Sequence, residues 1–235
     1  MPDYSHTNTQ PDIPIVYEDD HLLVIEKPHE LLSQPDHTGD PDVVSLCKQY
    51  LRQSRSTGSA YLGPVHRLDR PVGGLMLLAK SSKSAGRLGE MVRNRTIQKT
   101  YHAVVQGTPP PNAFLTHHLV KNRNRNRVST ARPEHDEARE AILSFQKIAQ
   151  RDELALLAVH LQTGRPHQIR VQLAEEGYPV WGDYKYGKNQ PDGRTMALRA
   201  VELRFTHPVT DREMQFRLPF PSREPWNHFD PDEIP

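Results

Sequence analysis

The sequence predicts an α+β fold with a mixed, mostly antiparallel β-sheet and flanking helices. Three observations lead there. Short apolar runs bounded by turn residues recur from Ile15 to Leu218 and outnumber the stretches with helical spacing. The helical stretches are short and do not alternate regularly with the strands, which argues against a doubly wound parallel sheet. The stretch Gly63–Lys80 joins a polar loop to a continuous apolar run, Leu75–Ala79, which reads as a buried strand.

In chain order, residues 1–12 read as a disordered tail and 13–220 as one domain, followed by a proline-rich, acidic tail at 221–235. Ile15–Tyr17 and Leu22–Ile25 flank an acidic turn and predict a hairpin, closed by Lys27-Pro28. Residues 29–40 read as loop. Asp40-Pro41 predicts a helix start, with Asp40 as cap and Val43, Leu46, Cys47, Tyr50 and Leu51 at helical spacing. Residues 52–60 read as mobile. Ser81 or Ser82 can cap a helix carrying Ala85, Leu88, Met91 and Val92 on one face. A strand is expected over 96–106, with Tyr101, Ala103 and Val105 on one side. Residues 112–140 read as loop or ragged strand. Ala141–Ala149 pairs with Leu154–Leu161, and Pro166 opens a short helix ended by Gly177. Two closing strands, Met196–Phe205 and Met214–Leu218, surround Pro208.

Composition limits the function. No run of about 18 apolar residues exists, so no spanning helix is expected. The polar N-terminus does not read as a secretory signal. The single Cys47 excludes an internal disulfide and a multi-cysteine zinc site. A cytoplasmic protein is expected. The net charge is +1, so any basic surface is local; Lys121-Asn-Arg123-Asn-Arg125-Asn-Arg127 is the clearest one. Such a run is either a solvated loop or a phosphate contact.

Three distant stretches carry polar groups suited to one site. Asp69 lies between Arg67 and Arg70 at the mouth of the buried strand. Tyr101 sits among small and apolar strand neighbours, and Arg170 projects from the short helix. Asp69 beside a guanidinium would stay ionised, as a nucleophile requires. Taken singly, they also read as a turn aspartate, a strand aromatic and a surface arginine.

Four motifs in order tie them together. Pro64-Val-His66-Arg67-Leu-Asp69 with Gly74 resembles the active-site motif of RNA pseudouridine synthases of the RluA class. Lys99-Thr-Tyr101-His-Ala-Val-Val105 resembles their tyrosine strand. Gly164-Arg165-Pro-His167-Gln168-Ile-Arg170 resembles their arginine motif, and Gly177–Asp183 with Tyr186-Gly187 resembles the segment after it. The resemblance implies the pseudouridine synthase fold with a central active-site cleft. It implies Asp69 as the nucleophile on a flipped uridine, Tyr101 under the base and as the group taking the carbon-5 proton, and Arg170 as the partner of Asp69. Arg67 would fill the place of the flipped nucleotide. His66, Arg165, His167, Gln168, Lys121, Arg123, Arg125 and Arg127 complete the expected substrate-binding set. The substrate would be ribosomal or transfer RNA, with no cofactor, no metal, a monomeric state and no added N-terminal RNA-binding domain.

Two departures from the family pattern stand out. Val72-Gly73 stands where Thr-Ser is usual, and Pro166 replaces a common Ser or Thr. Two alternatives remain: an RNA-binding or ribosome-assembly factor on the same fold, and a nucleoside glycosidase using Asp183 as a second carboxylate.

Overall fold

The computed structural model describes residues 13–54, 61–187 and 193–234. The expected tail at 1–12 and most of the 52–60 linker lie outside the described residues. Strands β1 (Ile15–Glu18) and β2 (Leu22–Lys27) form the predicted hairpin, followed by helix α1 (Val43–Ser54). Next come β3 (Gly63–Pro64), β4 (Gly73–Ala79), α2 (Ser82–Arg93) and β5 (Gln98–Gln106). Then follow β6 (Asn112–Asn122), β7 (Arg127–Ala131), β8 (Arg139–Arg151), β9 (Leu154–Leu161), α3 (Gln168–Glu175), β10 (Leu198–Thr206) and β11 (Glu213–Arg217). They make one sheet in the order β1-β2-β4-β10-β5-β9-β8-β6-β7, with β11 on β10 and β3 on β4. Its pairings are antiparallel except β4 with β10.

Register explains how Tyr101 and the Asp69 loop become neighbours. Gly74 pairs with Ala200, Ala200 with Tyr101, and Tyr101 with Val159. Gly74 has φ +116°, and a Cβ there would lie 2.2 Å from the Ala200 carbonyl oxygen. Only glycine lets β4 approach β10 at this point. The core on this side of the sheet gathers Leu68 and Val72 from the Asp69 loop, Tyr101 from β5, Ile169 and Leu173 from α3, and Ala200. Ile169 and Leu173 thus anchor α3 to the sheet as their spacing predicted.

The two other helices pack on the β2–β4 half. Val43, Cys47 and Leu51 of α1 meet Leu23, Ile25, Met76 and Leu78; Leu88 of α2 meets Leu22, Val24, Leu75 and Leu77. Because neighbours along β4 point to opposite faces, α1 and α2 cover opposite sides. That accounts for burial of every residue of β4. Each such leucine contributes about 1.5–3 kcal/mol. Ser81 caps α2 through its Oγ, which accepts the Ser84 N–H at 3.1 Å.

Three expectations are corrected. Asp42, not Asp40, caps α1: its Oδ1 accepts the Ser45 N–H at 3.0 Å, while Asp40 pairs with Arg70 at 2.6 Å. The Val43 N–H donates to the Leu32 carbonyl, so the chain is still bridged to the preceding loop at that residue. Residues 112–140 supply a hairpin, β6–β7, and the start of β8. The stretch 221–235 is not wholly a tail, because Trp226 and Phe229 are buried against Val104, Leu156 and Ala197.

Candidate active site

The loop carrying Asp69 is held from behind by residues 27–33. Lys27 is fully buried at the end of β2. Its ammonium donates to the carbonyls of Pro28 (2.9 Å), Leu31 (2.5 Å) and Arg70 (3.0 Å). Burial pulls the Lys27 pKa down to about 7, and the three carbonyl acceptors are what an ammonium needs at such a depth. Ser33 Oγ donates to the Leu68 carbonyl at 2.7 Å and accepts the Leu68 N–H at 3.0 Å. The His29 Nδ1–H donates to the Pro71 carbonyl at 2.9 Å. The residues on either side of Asp69 are therefore fixed by side chains from a segment that reads in sequence as plain loop. The signal was a lysine closing an apolar strand directly before proline.

Arg170 reaches this loop from α3. It is 4% exposed. Its Nε and Nη2 donate to the two carboxylate oxygens of Asp183 at 2.7 and 2.9 Å, and its Nη1 donates to Asp69 Oδ2 at 3.0 Å. Burial disfavours the guanidinium charge, but the bonds and charges of Asp183 and Asp69 outweigh it and raise the Arg170 pKa. Asp183 also accepts the N–H groups of Lys185 and Tyr186. A carboxylate so occupied does not serve as a second hydrolytic acid, which removes the basis for the glycosidase alternative. Asp183 instead sets the direction of Arg170, a role its spacing in the sequence does not disclose.

Tyr101 lies behind Asp69 and is 5% exposed. Burial first, and then the Asp69 charge, push its phenol pKa well above the ordinary value. With Asp69 free the phenol is protonated. The Asp69 side chain is 24% exposed, so it is the most accessible of the three groups.

The residues so arranged belong to a known lineage. The sequence matches the RNA pseudouridylate synthase family over residues 21–175. It is 32% identical over 226 residues to the ribosomal large subunit pseudouridine synthase D of Vibrio cholerae, covering 89% of this chain and 68% of that one. The chain belongs to the RNA pseudouridylate synthase family. It is an RNA pseudouridine synthase of the RluA class, an isomerase. A Bacillus subtilis protein described as an uncharacterized RNA pseudouridine synthase, YhcT, is 29% identical over 90% of this chain and 70% of its own. Among solved structures, human RNA pseudouridylate synthase domain containing 4 superposes with a TM-score of 0.75 at 22% identity, covering 92% of this chain and 90% of that chain. Human domain containing 1 gives 0.70 at 21%, covering 90% and 85%. At those identities the likeness establishes the fold.

Within this pseudouridine synthase, other residues named from the sequence separate into two groups. His66 and Gln168 turn inward. His66 Nε2 accepts the Leu77 N–H at 3.2 Å, and burial lowers the ring's pKa to about 3, so it stays neutral. Gln168 Oε1 accepts from Thr163 Oγ1 and the Arg165 N–H, and its amide donates to the Ile142 carbonyl. Both residues brace the framework through these bonds, while His66 Nδ1 is buried without a hydrogen-bond partner.

Arg67, Arg165 and the basic tract are exposed. Arg165 Nε donates to the Glu140 carbonyl at 2.8 Å. Lys121 to Arg127 form the tip of the β6–β7 hairpin. Tyr186 docks that hairpin to the site. Its hydroxyl accepts the Val128 N–H at 2.9 Å and donates to His167 Nδ1 at 2.5 Å. The ring faces the guanidinium groups of Arg127 and Arg170, each 5.1 Å from its centroid. His167 takes φ 54°, an unusual backbone angle for a histidine; burial first lowers its pKa to about 4, so the neutral ring can accept the Tyr186 proton. Tyr186 was visible only as part of a motif, not as the link it makes. Among the described residues, no group of three or more His, Cys, Asp or Glu is placed to hold a metal ion, and no helix is long and apolar enough to cross a membrane.

Proposed function

We propose that this enzyme isomerises a uridine of large-subunit ribosomal RNA, with Asp69 as nucleophile. The observation that carries this reading is the Arg170–Asp69 bond at 3.0 Å, with Arg170 oriented by Asp183. It holds the Asp69 carboxylate, partly open to solvent, beside the buried Tyr101. The ribosomal target is supported by the name of the Vibrio cholerae relative, a ribosomal large subunit pseudouridine synthase.

The chemistry requires no change of oxidation state. Asp69 attacks carbon 1′ of a flipped nucleotide, and the bond to N1 breaks. The detached uracil turns, carbon 5 bonds to carbon 1′, and the carboxylate leaves. The proton lost from carbon 5 is balanced by one gained at N1. Flipping costs a few kcal/mol; exposed Arg67 would offset part of this by filling the vacated stack. Tyr101 supplies the surface on which the base rests, where stacking is worth about 1–3 kcal/mol. Esterification removes the Asp69 charge that helps hold the Tyr101 phenol protonated. Its own proton is therefore lost more readily after the first step, and it must be lost before Tyr101 can take one from carbon 5.

The test is to incubate the purified protein with unmodified large-subunit RNA, small-subunit RNA and transfer RNA, and to map pseudouridine in each. A single new site in large-subunit RNA is expected. Modification confined to transfer RNA would overturn the ribosomal assignment, and binding without modification of any RNA would restore the binding-factor alternative.

The exposed hairpin tip makes a separate prediction. Replacing Arg123, Arg125 and Arg127 by glutamine should weaken binding uniformly across RNA sequences. The slope of log affinity against log salt should fall by about 2, at roughly 0.7–0.9 for each phosphate no longer neutralised. An unchanged slope in filter binding would return this tract to an ordinary solvated turn.

A further inference from the structure

We propose that His29 is a positioning residue for Asp69, and that it works as a matched pair with Gly73. The inference rests on the catalytic reading of Asp69 given above. A Cβ built on Gly73 would lie 2.7 Å from both Cδ2 and Nε2 of His29, and 3.2 Å from the Lys27 carbonyl oxygen. No real side chain sits that close to its neighbours, so the imidazole occupies the volume that any residue at 73 other than glycine would need. The opposite edge of the same ring donates from Nδ1 to the Pro71 carbonyl at 2.9 Å.

That carbonyl lies within the turn closed by the Val72 N–H, which donates to the Asp69 carbonyl at 2.9 Å. His29 therefore spans the turn that presents the nucleophile: one edge holds its backbone, and the other fills the gap behind it. Burial lowers the ring's pKa to about 4. The neutral tautomer with its proton on Nδ1 is the one that the Pro71 carbonyl selects.

A double-mutant cycle tests the pairing. His29→Ala should lower kcat by about tenfold with KM changed less than about threefold, because a loosened turn misplaces Asp69 rather than the RNA-binding surface. Gly73→Ser alone should also lose activity, since its side chain meets the imidazole. The double variant should recover to within about threefold of the parent, a coupling that independent sites do not show. His29→Phe, which fills the space without the donor, should stay impaired. His29→Gln, which keeps a neutral donor, should recover part of kcat. If Gly73→Ser does not fold, recovery of a cooperative thermal transition on adding His29→Ala supports the pairing equally. Unchanged kcat in His29→Ala, or losses that simply multiply in the double variant, would overturn it. The parent and Asp69→Asn proteins run in the same assay keep the two readings apart: an active Asp69→Asn enzyme removes the catalytic reading, whatever His29 does.

Discussion

Asp69→Asn is expected to reduce uridine isomerisation by at least about 10⁴-fold, since it removes the nucleophile outright. RNA affinity should hold within about threefold or tighten slightly, because the change deletes a negative charge from a surface that meets phosphates. The variant is clean for a structural reason. Arg170 keeps both bonds to Asp183, so its buried charge is not stranded. The new amide can still accept from Nη1 in place of the carboxylate. Thermal stability should therefore change little while turnover disappears. Tritium release from RNA labelled at carbon 5 of uridine measures the first quantity, and a melting curve the second. Turnover within tenfold of the parent enzyme would end the nucleophile assignment.

The second large effect is expected at Arg170. Replacing it by methionine leaves Asp183, whose side chain is 1% exposed, without its main counter-charge. Breaking one side of a buried pair costs about 3–5 kcal/mol. The two N–H groups on Asp183 place this site at the lower end of that range. Arg170→Lys preserves the charge but not the fork that grips Asp183 while a third nitrogen reaches Asp69. It should recover much of the stability yet remain impaired in kcat by about 10²-fold. Urea titrations of both variants, read beside their kcat values, separate the two effects. A methionine variant within about 1 kcal/mol of the parent would show that the ion pairs do not hold this part of the fold.

Much of the scaffold was readable because its strands are apolar on at least one face. The first hairpin, β4, β5 and the β8–β9 pair all carry the required pattern. The β6–β7 hairpin was not readable. In β6 only Leu115 and Leu119 are buried, and His117, His118 and Lys121 break the alternation. The closing segment misled by composition, since prolines and acids outnumber Trp226 and Phe229 although the two aromatics decide where it packs. Asp40 and Asp42 flank one proline, and propensity alone favours the wrong one as cap. At the site, Asp69, Tyr101 and Arg170 stood out through their motifs. Lys27 and Ser33 did not, because they act on Arg70 and Leu68, dozens of residues away; Asp183 lay in a motif, but its grip on Arg170 could not be read from spacing. His66 and Gln168 belong to the motifs, and the bonds they make run to the chain itself: to Leu77 for His66, and to Thr163, Arg165 and Ile142 for Gln168.

The place of β10 in the sheet bears on how the protein is made. This strand lies between β4 and β5, yet it follows both groups of strands in the chain. Until residues 198–206 leave the ribosome, the β1-β2-β4 and β5-β9-β8-β6-β7 groups have no seam between them. Each presents an unpaired edge, the kind of surface on which nascent chains associate. Asp69 and Tyr101 can be brought to their final separation only when this strand inserts, so catalytic competence waits for β10, as a single closing event.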